Sequence, residues 1–197
     1  INISNVKLLM FSLLAIGLLL RITLALLVDG YPGDISLFKN WASSVSSNFS
    51  QFYSGTKSSD YPPLYIYILY LVGKIGSISF LNKFYILLLK LPSVFADIVT
   101  SYLIYKIGKK YISLELSVMI SAFYIFNPAV FINSSLWGQV DSFFTLIIAA
   151  SMLLLAEKKL YISTVMFTFA VLMKPQGIIF LPVLFFEIVR QKNIKKF

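Results

Sequence analysis

The chain carries no cysteine and no histidine. The first absence excludes disulfides, thiol nucleophiles and thiolate metal ligands. The second removes the side chain that most often serves as general base and as zinc ligand. Acid–base chemistry is then left to carboxylates, lysines or tyrosines. Acidic groups are scarce as well: 8 Asp and Glu stand against 17 Lys and Arg in 197 residues, a net charge of +9. In a soluble chain that excess would point to nucleic acid. Here the basic residues gather at the ends of apolar runs, so the charge reads as membrane topology and no nucleic-acid partner is expected. The polar surface of a soluble domain is missing too. Hydrophobic residues make up 58% of the chain, against roughly 45–50% in soluble domains. The expected class is an all-α integral membrane protein. The chain opens INISN, without Met, and closes RQKNIKKF behind an apolar stretch, so it reads as an N-terminal fragment of a longer protein.

Residues 8–28 form a first apolar run of about the ~20 residues that cross a bilayer, interrupted by Arg21. Residues 29–81 form an outer loop. Ile35, Leu37, Phe38, Trp41, Ala42 and Val45 recur at helical spacing among Ser, Asn and Lys, which predicts an amphipathic surface helix with Trp41 at headgroup level. Asp34 falls at its first turn, where an anion is favoured. Asp60-Tyr61-Pro62-Pro63 follows, and the second proline is suited to start another helix. Residues 64–81 read either as a span or as a second surface helix. Keeping every basic cluster on one side favours the surface placement. Spans are then expected at 82–105, 111–133, 142–156, 160–173 and 177–189, six in all. Lys7, Lys106, Lys109, Lys110, Lys158, Lys159, Arg190, Lys192, Lys195 and Lys196 would lie on the cytoplasmic side.

That threading brings four short stretches to the extracytoplasmic face: Gly33-Asp34, the Asp60 turn, residues 136–142 (LWGQVDS) and Lys174-Pro175-Gln176. Each joins an ionisable residue to Pro or Gly. Irregular backbone at membrane depth is tolerated only around protein or a water-filled cavity, so these junctions are expected to line one cavity. Each residue also has a plainer role. Asp34 and Asp141 fit helix caps, Asp60 a solvated turn, Lys174 a snorkelling anchor, and Trp137 an interfacial belt residue. Arg21 and Asp97 lie inside apolar runs, where unpaired charge is costly. They are expected to form a structural ion pair or a lipid-phosphate site.

These same motifs, an early loop Asp, DYPPL, KLPSVFAD, WGQVDS and KPQ in this order, resemble the GT-C superfamily of membrane glycosyltransferases. The likeness is greatest to the mannosyl- and glucosyltransferases that use polyprenyl-phosphate-linked sugars. The resemblance implies a multi-pass enzyme of the cell membrane whose active site faces away from the cytoplasm. Asp34 would be the general base of the first outer loop. The donor would be a sugar on a polyprenyl phosphate, and the acceptor a lipid-linked glycan, a polymer or a protein. Asp60, Tyr61, Trp137, Gln139, Asp141, Lys174, Gln176, Arg21 and Lys90 are the expected substrate-binding residues. A single Asp follows Gly33, where some relatives have Asp-x-Asp, so no metal ligand is assigned, no cofactor is expected with certainty and the need for a divalent cation stays open.

Transfer from a lipid phosphate passes through an oxocarbenium-like transition state, by analogy with glycoside hydrolysis. The leaving phosphate needs positive charge, which Lys174, Arg21 or Lys90 would supply. The acceptor hydroxyl needs a base. One direct displacement would invert the anomeric carbon. Two rival readings stand beside the enzyme: a transporter or flippase of lipid-linked glycans, and a non-catalytic membrane subunit.

Overall fold

The computed structural model describes residues 3–54 and 59–191. Those residues are helical, with no strand among them. The helices are α1 (Ile3–Leu27), α2 (Pro32–Ser47), α3 (Pro63–Gly76), the short α4 (Ser79–Asn82), α5 (Tyr85–Gly108), α6 (Leu114–Ile125), α7 (Pro128–Phe131), α8 (Asp141–Ala156), α9 (Leu160–Met173) and α10 (Leu181–Gln191). A π-helical turn, Ile132–Trp137, continues α7, and a 3-10 segment, Pro175–Phe180, leads into α10.

Helix length corrects the expected number of spans. At about 1.5 Å per residue, a crossing of ~30 Å needs ~20 apolar residues. Two helices meet that by length and composition, Asn5–Leu27 and Tyr85–Gly108. A third crossing is obtained only if Leu114–Ile125 and Pro128–Trp137, which meet at a 44° bend, count as one broken span. The runs at 142–156, 160–173 and 177–189 fall on helices of 16, 14 and 11 residues. Apolar helices this short belong more often to a protein core or an interface than to a crossing. Six spans are therefore not supported, whereas the all-helical class and two to three crossings are. The break at Asn127-Pro128 has a local cause. Proline cannot extend the preceding helix, and the Asn127 side chain accepts a 2.9 Å bond from the Ala129 amide, capping the next one.

Helix α5 is the axis of the bundle. It packs on α1, α2, α3, α6, α8 and the π-turn. Its buried stripe mixes Leu89, Val94 and Ala96 with Lys90, Ser93, Asp97, Thr100 and Ser101. Small hydroxyls let helices approach closely and bond across the contact. Ser101 and Ser121 join α5 to α6 at 2.7 Å, and Ser151 and Ser163 join α8 to α9 at 3.2 Å, all four residues fully buried.

Helix α2 is amphipathic, as its spacing predicts, but its apolar face turns inward. Ile35, Phe38, Trp41, Ala42 and Val45 are buried, and Leu37 is left exposed. Trp41 packs with Phe38 and Tyr61 in the main core and so does not sit among headgroups. The reason is α3. Its 14 residues begin at Pro63, as expected, and lie along α2 so closely that a Cβ on Gly73 would fall 2.4 Å from the Ala42 carbonyl oxygen.

Contacts tie the end of α1 and the starts of α2, α5 and α8 to one end of the bundle, the site end. At the other end Lys110 and Lys159 both bind Glu157 at 2.8 Å, joining the end of α5 to the turn between α8 and α9. Two of the basic clusters thus meet there. Lys192, Lys195 and Lys196 lie outside the described residues.

Candidate functional site

The site end is built around residues 133–141, the π-turn and the tight bend that follows it. Gly138 makes the bend possible with φ of 92°, a left-handed conformation that side chains rarely adopt. It also leaves no room for one: a Cβ there would come within 2.7 Å of Ile35 and 3.4 Å of the Lys90 side chain. Across from it Gly30 has φ of 96°, and its Cβ would meet the Trp137 carbonyl oxygen at 2.8 Å. The two glycines let the link from α1 to α2 lie against the bend. The Tyr31 amide then donates to the Trp137 carbonyl at 3.0 Å, and the two rings pack with centroids 5.4 Å apart.

This apposition sets the surroundings of Asp34 in the first turn of α2. Its Oδ2 accepts from Trp137 Nε1 at 2.6 Å and from Gln139 Nε2 at 2.5 Å. Hydrogen bonds to a charged acceptor are shorter and stronger than neutral ones. Ser93 of α5 holds the Gln139 carbonyl at 2.7 Å, so the bend is pinned from below as well. Lys90, fully buried, donates to the Val28 carbonyl at 2.5 Å and caps the end of α1.

A second network starts two residues on. Lys174 Nζ donates to Asp141 Oδ1, and Asn133 Nδ2 donates to Asp141 Oδ2 at 3.2 Å. The Lys174 ammonium also stands over the Tyr61 ring, 5.4 Å from its centroid. Burial pushes its pKa down, but the bond and the charge of Asp141 outweigh that, and the net direction is upward. Tyr61 is fixed in turn, its carbonyl accepting from the Tyr53 hydroxyl at 3.0 Å.

The third group lies deeper. Arg21 Nε donates to Asp97 Oδ2 at 2.8 Å, with both side chains fully buried. Ser134 of the π-turn donates to the same oxygen at 2.6 Å, and Arg21 Nη1 reaches the Gly17 carbonyl at 3.2 Å. The expected pair is present and is neutralised inside the protein, so the structure gives no sign of its alternative role as a lipid-phosphate site.

Of the residues singled out in sequence, Asp34, Trp137 and Gln139 come together, and so do Tyr61, Asp141 and Lys174. Lys90 and the Arg21–Asp97 pair support these from below. Asp60 and Gln176 are exposed and enter neither network. Ser93, Asn133 and Ser134 act here without having been expected. Asn133 and Ser134 lie in the INSSLW stretch, whose polar residues inside an apolar run were a usable signal. Ser93 lies inside the KLPSVFAD stretch, between Lys90 and Asp97. Among the described residues no group of three or more acidic side chains could hold a metal ion. What the arrangement does chemically is fix three carboxylates, Asp34, Asp97 and Asp141, each bonded to donors of its own chain.

No curated protein and no solved structure matches the chain. A family model described as GPI transamidase subunit PIG-U matches residues 38–197. That stretch holds Tyr61, Lys90, Trp137, Gln139, Asp141 and Lys174, and begins after Arg21 and Asp34. The match supports a membrane protein family, but not a glycosyltransferase one, and gives no support to a polyprenyl-linked sugar donor. With most of its length matched, the chain belongs to the PIG-U family of GPI transamidase subunits.

Proposed function

We propose that the chain is a non-catalytic membrane subunit of a GPI-transamidase type of assembly, held in the bilayer by α1 and α5, with its site end turned away from the cytoplasm and in contact with protein partners. The family match over residues 38–197 carries this reading. The geometry agrees with it. Asp34 Oδ2 takes two hydrogen bonds from Trp137 and Gln139, and Asp141 is held by Lys174 and Asn133. Carboxylates bonded in this way stabilise a shape, whereas a general base needs an oxygen aimed at the proton it removes.

One observation favours the second reading, a membrane glycosyltransferase with Asp34 as base. Both bonds to Asp34 fall on Oδ2, and the residue is only half-buried, which leaves Oδ1 for an acceptor hydroxyl. The experiment that separates the two uses the full-length protein, tagged and extracted from its native membrane in mild detergent. The subunit reading expects transamidase components to co-purify and expects Asp34→Asn to leave that association intact. Transfer of labelled sugar from a polyprenyl phosphate, lost in Asp34→Asn at equal expression, would replace it with the transferase.

A further inference from the structure

A cleft apart from the Asp34 and Asp141 networks opens between α2, α3 and the start of α5. Its main chamber, about 480 Å³, is lined by Lys39, Asn40, Ser43, Ser46, Asn82 and Tyr85 among others. A smaller hollow of about 160 Å³ shares Lys39, Asn82 and Tyr85 and adds Lys83 and Asp29. Its remaining wall is apolar, with Leu26 from α1 and Ile86 and Leu87 from α5. These are the two helices long enough to cross a bilayer. The cleft thus joins a polar chamber to a surface that lipid chains would cover.

The two lysines that line it meet no carboxylate within ion-pair distance. Lys110, Lys159, Lys174 and Arg190 each meet a carboxylate within hydrogen-bonding distance. Lys39 and Lys83 form no such pair. They stand over aromatic faces instead: Lys39 is 5.9 Å from the Tyr85 ring centroid, and Lys83 is 4.8 Å from that of Phe80 and 5.0 Å from that of Phe84. Aromatic faces hold an ammonium in place without neutralising it. Two placed cations beside amide and hydroxyl donors form a receptor for a phosphate, on which lysine acts as a point charge. Asp29 lines the same hollow and interacts with the charge of Lys90, so the hollow stays net positive and suits a phosphodiester.

We propose that this cleft binds the phosphodiester headgroup of an anionic membrane lipid, with Lys39 and Lys83 on the phosphate, Asn40 and Asn82 as neutral donors, and an acyl chain laid along Leu26 and Leu87. Basic pockets between membrane helices bind such headgroups elsewhere by the same electrostatics. The proposal holds whether the chain is a subunit or a transferase, because it uses neither Asp34 nor Asp141.

Native mass spectrometry of the full-length protein in detergent tests it, with phosphatidylglycerol and phosphatidylcholine offered in parallel. The wild type is expected to retain phosphatidylglycerol about tenfold or more over phosphatidylcholine, the scale set by two lysines facing one anion. Lys39→Gln with Lys83→Gln should abolish the preference, and Lys39→Arg with Lys83→Arg should keep it. Excess inorganic phosphate should not displace the lipid; displacement at equal concentration would overturn the apolar half of the site. A photoreactive phosphatidylglycerol on the wild type, which needs no variant, should label the Leu26 and Leu87 wall. Labelling confined to other helices, or an unchanged preference in the glutamine variant, would overturn the proposal.

Discussion

Removing one partner of the Arg21–Asp97 pair should cost far more than removing both charges. The pair is 2.8 Å long with neither side chain exposed. Arg21→Met leaves the Asp97 carboxylate buried with Ser134 as its remaining strong donor. Leaving one buried charge unmatched typically costs about 3–5 kcal/mol, a large part of the ~5–15 kcal/mol that holds a folded domain together. Asp97→Asn strands the guanidinium in the same way. The double variant, Arg21→Met with Asp97→Asn, buries no charge, and its amide still accepts from Ser134. One guanidinium nitrogen, Arg21 Nη2, is buried without a hydrogen bond, so its loss removes a cost as well as a contact. The double variant should therefore lie within about 1 kcal/mol of the wild type, with a coupling of at least about 5 kcal/mol in the mutant cycle. The assay is unfolding in detergent micelles, followed by loss of helical circular dichroism. Additive single and double variants would refute the pair as an energetic unit. A charge swap is a poorer test, because Arg21 Nη1 also bonds the Gly17 carbonyl at 3.2 Å and a carboxylate placed at residue 21 would face that oxygen.

Gly138→Ala should destabilise by at least ~1–3 kcal/mol, since a left-handed φ is strained for alanine and its Cβ would press on Ile35; a melting temperature equal to wild type would contradict the bend described here. Asp34→Asn keeps the shape but exchanges two charge-assisted bonds for neutral ones, an expected loss of about 1 kcal/mol in the same unfolding assay, and no loss would mean the bonds from Trp137 and Gln139 contribute nothing. Glu157 is held down to a pKa of about 2 by its bonds to Lys110 and Lys159. Its folded value lies below the unfolded value of ~4.3, so its contribution is complete above that pH and is lost as pH falls towards 2. Acid titration of stability should be shallower in Glu157→Gln over that window, and equal slopes would contradict the link between α5 and the turn after α8.

The sequence made some of this legible through periodicity and charge, which are local properties. The spacing of Phe38, Trp41, Ala42 and Val45 gives α2, and Pro63 gives the start of α3. The need to relieve charge in an apolar setting gives Arg21 with Asp97. What α2 packs against is not local. Its apolar face is equally suited to lipid or to α3, and nothing local marks Gly73, whose missing side chain admits the close contact. The span count failed for a related reason. Hydropathy adds helix to irregular segment without showing where the backbone breaks, so Phe126 to Pro128 and the 3-10 stretch after Lys174 were absorbed into spans. The grouping of WGQVD with Asp34 and with Lys174 was foreseen as a shared cavity. In the structure, donors and acceptors in the same motifs bond to one another and close two networks.

That closure bears on function through the stretch 133–141. Asn133 and Asp141 join one network, Trp137 and Gln139 the other, and Ser134 reaches down to Asp97. A single π-turn with one glycine bend therefore couples the loop end of α1, the first turn of α2, the cap of α9 and the buried ion pair. Asp141 is bonded to Asn133, which lies in the same turn that places Trp137 over Tyr31. A membrane subunit that must present one fixed surface to its partners gains a great deal from such wiring, and the groups left outside the wiring are the ones that remain to meet something else: Asp60 in its exposed turn, and Lys39 and Lys83 in their cleft.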